Sequence, residues 1–233
     1  TSLFALEDEV EKEKSLFLED MSRGLAHEIR NPLGSIKGAA QYLKTGTDSE
    51  EAEQLLDVIT EETDRLGNVV SRFLSYANPY VVDAKPRDMN ALVKRTLDLI
   101  KRDDFPDGIV ITTGFAPDLP PVPLDEEQFM QVIFNIVLNA LEAMPEGGTL
   151  TITSAPHAGE GFRAVELRIG DTGPGIDRKD LKKLFKPFFT TKKGGTGLGL
   201  AICRKIISEH GGYIGVSSQA GKGTEFNIIL PVD

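Results

Sequence analysis

Cysteine occurs once, tryptophan not at all, and histidine only three times in 233 residues. A single thiol, Cys203, excludes an intramolecular disulfide, and its setting in GLGLAICRK reads as a small buried hydrophobe on a helix. This fits a reducing compartment. No apolar run approaches the ~20 residues that a membrane span requires, so no direct membrane contact is expected. An excess of bases is missing as well: 36 acids stand against 26 bases, a net charge of −10, which argues against nucleic acid as a partner. A starting methionine and a signal peptide are both lacking, so the expectation is an excised piece of a longer chain. What is present is ordinary for globular protein, 40% hydrophobic and 27% charged, in a length above that of one typical domain.

Charge is unevenly spread. Residues 1–77 carry 16 acids and 8 bases, whereas 78–233 carry 20 and 18. A local reversal lies between Asp177 and Lys193, where Arg178, Lys179, Lys182, Lys183, Lys186, Lys192 and Lys193 face only Asp177 and Asp180. A basic run is commonly a solvated surface, but this one lies between two glycine motifs and could meet phosphates.

Punctuation divides the chain. Residues 1–44 read as one long helix with an acidic, coiled-coil-like start, LEDEVEKEK. TGTDSEE is a turn with a helix start, and Leu55, Ile59, Leu66, Val69, Val70, Phe73 and Leu74 carry a second amphipathic helix to about Tyr76, ended by Asn78-Pro79. Two antiparallel helices cannot bury both stripes alone, so two chains are expected to pair into a four-helix bundle. From Lys85 the pattern becomes mixed α/β. Helices are predicted near 90–102, 126–143 and 197–210, with strands near 109–114, 148–154, 163–170, 212–218 and 224–230.

Within the first helix, Leu18, Met21, Leu25, Ile29, Leu33, Ile36, Ala40 and Leu43 fall in one stripe at about 100° per residue. His27 points away from that stripe, and Asn31, four residues on, shares its side. Gly34 and Gly38 continue the same side without side chains, leaving room for a crowded partner. Pro32 removes a backbone donor and its ring opposes the carbonyl of Glu28, so a kink is expected just after the histidine. A hinge and a tolerated structural kink both fit it.

In QVIFNIVLNALEAM, Asn135 and Asn139 bring two amides to one face of an otherwise apolar helix, and buried amides require partners. Magnesium with its waters and phosphates would satisfy Asn139; backbone bonding is the plainer alternative. DTGPGI follows the apolar strand VELRIG, which puts Asp171 at a strand end. There it either accepts from an adenine amino group, with Gly173 and Gly175 letting backbone pass close to the base, or caps a turn. In GGTGLGL, Gly195, Gly197 and Gly199 precede a helix and offer backbone N–H groups to phosphate oxygens. The spacing is not that of a Walker loop or a dinucleotide fingerprint.

In this order the motifs resemble the cytoplasmic core of bacterial two-component sensor histidine kinases over nearly the whole chain. HEIRNPLG is similar to that family's phosphoacceptor box and NIVLNALEAM to its N box. DTGPGI is similar to its G1 box, FKPFFTTKKGG to its F box and lid, GTGLGLAI to its G2 box, and GKGTEFNIILP to its last glycine box. HEIRNPLGSIKGAAQYL with FFTTKKGGTGLGL is most similar to the nitrogen-regulation-type kinases.

The resemblance implies a multi-domain fold: a helical hairpin (residues 1–77) forming a dimeric four-helix bundle, then a Bergerat-type α/β sandwich (85–233) that binds ATP and Mg2+. A flexible joint around 77–85 would let the second domain reach the first. The implied function is autophosphorylation on histidine and transfer to an aspartate of a response regulator's receiver domain, with phosphatase activity toward that regulator, in the cytoplasm. An upstream membrane anchor is left open. His27 matches the phosphoacceptor, Glu28 the acid that polarises it, and Asn31 the residue that positions water for dephosphorylation. Asn139 matches the magnesium ligand with Asn135 beside it at the phosphates, and Asp171 with Gly173 and Gly175 the adenine reader. Thr191, Lys192, Gly195, Gly197, Leu198 and Gly199 match lid and phosphate contacts, and Thr224 lies in the last glycine box. One departure is Glu142, where many members carry a base, which shifts charge neutralisation toward Lys192. Two other classes share part of the pattern. An ATPase of the same nucleotide-binding fold would form no stable phosphohistidine, and a non-catalytic scaffold would consume no ATP.

Overall fold

The computed structural model describes residues 3–46, 48–77, 82–100, 106–159, 162–192 and 195–232, without the side chains of 3–21, 23, 72, 75, 76, 158, 159 and 162. The chain divides into two compact units, one of residues 1–78 with Pro187–Leu198 and one of residues 79–186 with 199–233.

The first unit is a helical hairpin of α1 (Leu3–Leu43) and α2 (Ser49–Ala77). Its turn is closed by chemistry the sequence carries. The Thr45 hydroxyl donates to the Tyr42 carbonyl at 2.7 Å, and Gly46 adopts φ 84° just past the helix end, where a side chain would be strained. Asp48 caps α2, its Oδ1 accepting from the amides of Glu50 (3.1 Å) and Glu51 (2.9 Å). Helix α1 runs continuously through Pro32, which is buried. The ring is accommodated inside the hairpin, and the Ser35 hydroxyl donates to the Asn31 carbonyl at 3.5 Å.

Burial along the predicted α1 stripe is uneven in the single hairpin. Ala39 is buried and Ala40 exposed, and Leu33 is 48% exposed. A single partner helix covers a narrower face than the whole apolar stripe, so the stripe's flank is left in solvent. On α2, Val69 is buried while Leu56 and Leu74 remain 54% and 51% exposed. The side chains of Leu18, Met21 and Tyr76 lie outside the described residues, as do Asn78 and Pro79.

The second unit is an α/β sandwich. A small antiparallel pair, β1 (Lys85–Arg87) with β3 (Val122–Leu124), flanks a five-stranded sheet of β2 (Ile109–Phe115), β4 (Gly148–Gly159), β5 (Phe162–Asp171), β7 (Gly223–Pro231) and β6 (Tyr213–Gln219), in that spatial order. β2 pairs β4 in parallel and the remaining pairs are antiparallel. Helices α3 (Met89–Ile100), α4 (Glu126–Ala143) and α6 (Gly199–Glu209) form the second layer, with α4 between the other two, and a single turn, α5 (Arg178–Leu181), precedes the lid region. Alternation decides which strand residues meet the helices. Leu150, Ile152, Leu167, Ile169 and Ile228 are at most 1% exposed, as are Phe129, Ile133 and Ile136 of α4. Each such side chain contributes about 1.5–3 kcal/mol relative to exposure.

Candidate functional site

On α1, His27 and Asn31 are exposed one turn apart, as their spacing requires. Gly34 and Gly38 follow on that side, and a Cβ added at either would meet nothing within 4 Å. The face is therefore smooth as well as open. Glu28 turns the other way, toward α2, where its Oε2 lies 3.8 Å from the Arg65 guanidinium. Arg65 went unremarked in the sequence, because pairing across a hairpin depends on the register that the turn length sets.

In the second unit, Asp171 closes β5 and its Oδ1 accepts from the backbone amides of Gly173 at 2.8 Å and Thr224 at 3.3 Å. One oxygen is thus committed to orienting the carboxylate. The turn after it is stitched to the β6–β7 hairpin: the Gly221 amide donates to the Pro174 carbonyl at 2.7 Å, and the Ile176 amide to the Ser218 hydroxyl at 2.8 Å. Gly175 (φ 71°) and Gly223 (φ 91°) permit this closeness, since a Cβ at Gly175 would strike the Gln219 carbonyl and one at Gly223 the Asp171 carbonyl. Ser218 is the residue the motifs did not reveal. Its hydroxyl also donates to the Gly223 carbonyl at 2.8 Å and lies 3.0 Å from Thr224 Oγ1, so it ties the predicted Asp171, Gly175 and Thr224 into one corner. Only its place at a strand end before AGKGT hinted at this.

Asn135 and Asn139 are both half-buried on α4. A Cβ at Gly199, the first residue of α6, would come 3.3 Å from Asn135 Oδ1. Asn135 also hydrogen-bonds the Cys203 thiol, which burial pushes up to about 12 with the amide opposing that rise. Asn135 therefore joins α4 to α6 as well as standing a turn before Asn139. Among the described residues no group of three His, Cys, Asp or Glu could hold a metal. A magnesium ion here would have to rest on one protein oxygen, that of Asn139, and be completed by phosphates and water, as the ion favours with nucleotides.

Thr191, Lys192, Gly195, Gly197 and Leu198 belong to the segment that groups with the hairpin. Thr191 and Lys192 are exposed, and the Lys192 amide donates to the Thr190 hydroxyl at 3.0 Å. Leu198 is fully buried. Gly197 takes φ 65° with a Cβ position already filled by the backbone at Phe188, and Phe188 itself sits at φ 61° with its ring against Gly24 of α1. Lys193 lies outside the described residues.

Two cavities lie in the second unit. One of about 890 Å³, lined by Asp83, Arg87, Glu126, Met130 and Phe134 among others, opens at the start of α4. The other, about 570 Å³, is lined by Asp171, Ser218, Gly223 and Thr224 of this corner together with Thr149, Thr151, Gly170 and Glu225.

Comparison with known proteins places both units. Residues 17–79 match the His Kinase A (phospho-acceptor) domain, and 124–233 match the histidine kinase-, DNA gyrase B-, and HSP90-like ATPase family. The chain is 40% identical to the sensor histidine kinase ZraS of Escherichia coli K12 over 230 residues, 98% of this chain and 49% of that protein. It is 36% identical to the sensory histidine kinase/phosphatase NtrB of Salmonella typhimurium over 235 residues, covering 97% and 66% respectively, in keeping with the nitrogen-regulation resemblance. The chain thus spans about half the length of ZraS. Among solved structures, the histidine kinase ThkA in complex with the response regulator protein TrrA aligns with TM-score 0.79 and 32% identity, over 100% of this chain and 67% of that one.

Proposed function

The chain belongs to the sensor histidine kinases, and from that premise we propose that it phosphorylates itself on His27 with ATP and passes the phosphoryl group to an aspartate of a response regulator's receiver domain. The observation that carries this reading is the exposed imidazole of His27 on a smooth helix face, in a chain whose second unit fixes Asp171 as an oriented acceptor.

In this reading Asp171 binds the adenine amino group and Gly173 and Gly175 let backbone lie along the base. Asn139, with Asn135 a turn before it, faces the phosphates. Magnesium, when bound, neutralises phosphate charge and keeps the leaving group in line. The imidazole attacks the γ-phosphorus, an N–P bond forms, the bond to the β-phosphate oxygen breaks and ADP leaves. Glu28, once turned from Arg65 toward the ring, would hold the proton on the other ring nitrogen, which strengthens the attacking one. Thr191, Lys192, Gly195, Gly197, Leu198 and Gly199 form lid and phosphate contacts, with Lys192 supplying charge that Glu142 cannot. Residues 1–77 and 85–233 act as separate domains, and domain motion gates the step.

A homodimer through residues 1–77 is supported by Leu33, Leu56, Val70 and Leu74, all at least 40% exposed on the hairpin. We also assign the chain to the cytoplasm; among the described residues no helix is long and apolar enough to cross a membrane. Incubation with labelled ATP and magnesium tests the central claim. The product should be acid-labile and base-stable, and His27→Gln should abolish it while leaving nucleotide binding intact. Label on His157 or His210 would overturn the reading.

A further inference from the structure

Leu150, Asp171, Thr224 and Ser218 are direct partners across β4, β5, β7 and β6, so their side chains form one row on one face of the sheet. Leu150 is fully buried, which places that row on the side of the helices. Three polar contacts converge on the Ser218 hydroxyl. The Ile176 amide lies at 2.8 Å, the Gly223 carbonyl at 2.8 Å and Thr224 Oγ1 at 3.0 Å.

These partners fix where the hydrogens are. An amide N–H only donates and a carbonyl only accepts, whereas a serine hydroxyl has one proton and two lone pairs. Ser218 therefore gives its proton to the Gly223 carbonyl and accepts from the Ile176 amide. Its second lone pair is left for Thr224, whose hydroxyl must be the donor in the remaining contact. The reverse assignment would set lone pairs of Ser218 against the Gly223 carbonyl oxygen at 2.8 Å. With its one proton spent on Ser218, Thr224 Oγ1 offers only lone pairs to any ligand that reaches it. Its backbone amide donates to Asp171 Oδ1 at 3.3 Å, so this acceptor stands beside the carboxylate, which accepts as well. The two side chains together suit a ligand edge that carries hydrogens, such as an exocyclic amino group, and oppose a carbonyl in the same place.

We propose that Ser218 is a specificity-determining residue for the nucleotide: by taking the Thr224 proton it holds Thr224 Oγ1 as an acceptor, which favours adenine over a base with a carbonyl at that position. This rests on the reading of Asp171 as the adenine acceptor given above. The contact between Thr224 and the base is direct or passes through one water, and the polarity is the same in both cases. Ser218→Ala frees the Thr224 hydroxyl to rotate and donate. Titration calorimetry on the full chain should then find the preference for ATP over ITP lowered about two- to tenfold, the worth of one neutral hydrogen bond. A merely structural serine would weaken both nucleotides alike and leave their ratio unchanged. Ser218→Thr keeps the hydroxyl and should keep the wild-type ratio. Should the alanine variant fold poorly by circular dichroism, because the Ile176 amide and Gly223 carbonyl lose their partner, Thr224→Val removes the acceptor itself and should lower the ratio in the same direction. A wild-type ratio in folded Ser218→Ala or in Thr224→Val, or a lowered ratio in Ser218→Thr, would overturn the assignment of Ser218 alone. Unchanged ATP affinity in Asp171→Asn would instead overturn the reading of Asp171, and this inference with it.

Discussion

Replacing Asp171 with asparagine separates the two tasks of one carboxylate. Its Oδ1 accepts from the Gly173 and Thr224 amides at 2.8 and 3.3 Å, and an amide oxygen can keep both bonds. The corner should therefore stay folded, unlike in Asp171→Ala, where two amides would lose their acceptor at about 1–3 kcal/mol each if water cannot replace it. What changes is the other end of the group. With its oxygen committed to the backbone, asparagine presents an NH2 donor where the acid presented an oxygen, and an adenine amino group is itself a donor. A hydrogen bond to a charged acceptor contributes about 1.5–3 kcal/mol, so its loss should weaken ATP binding about 10- to 100-fold. The same NH2 suits the carbonyl at that position of hypoxanthine or guanine. Titration calorimetry with ATP, ITP and GTP should find ATP weakened and the preference for adenine reduced or reversed, at a melting temperature close to wild type. Unchanged ATP affinity in a folded variant would refute the adenine-reading role and leave Asp171 as a turn cap.

Cys203, whose thiol burial pushes up to about 12, should resist a thiol reagent at pH 8 until the chain is unfolded in urea, and fast labelling of the native protein would contradict its burial. The folded state binds this proton more tightly than the unfolded chain, where a thiol titrates near ~8.5; its contribution to stability is full below that pH and is lost as pH rises toward 12. A fragment of residues 85–233 should be monomeric by light scattering and still bind ATP, whereas the full chain should be dimeric at micromolar concentration; a monomeric full chain would sink the bundle. Asn31→Ala should spare autophosphorylation and transfer yet lengthen the lifetime of the phosphorylated regulator, and an unaltered lifetime would reduce Asn31 to a helix surface residue.

The elements were legible because their signals are local. The alternation of VELRIG and NIILP, the period of QVIFNIVLNALEAM and the helix start in TGTDSEE each depend on neighbours a few residues away, and the structure has strands and helices there. Unread were β1 and β3, three residues each, too short for any period to register. The corner around Asp171 was half legible. Glycines needing positive φ mark Gly175 and Gly223, but the hydroxyl that joins them comes from Ser218, more than forty residues after Asp171, and a serine at a strand end is unremarkable until the sheet folds. Asn135 shows the converse limit: its i,i+4 relation to Asn139 was plain, while its bond to the Cys203 thiol required α4 and α6 to be packed. Arg65 extends the same argument to the phosphoacceptor. The motif HEIRNPLG names the acid next to the histidine, yet the cation that pairs with that acid stands on the other helix, at a height fixed by the turn between Leu43 and Ser49. Inserting one residue within α2 between Ser49 and Glu62 would turn Arg65 by about 100° relative to the first part of that helix, breaking the Arg65–Glu28 pair without altering the motif.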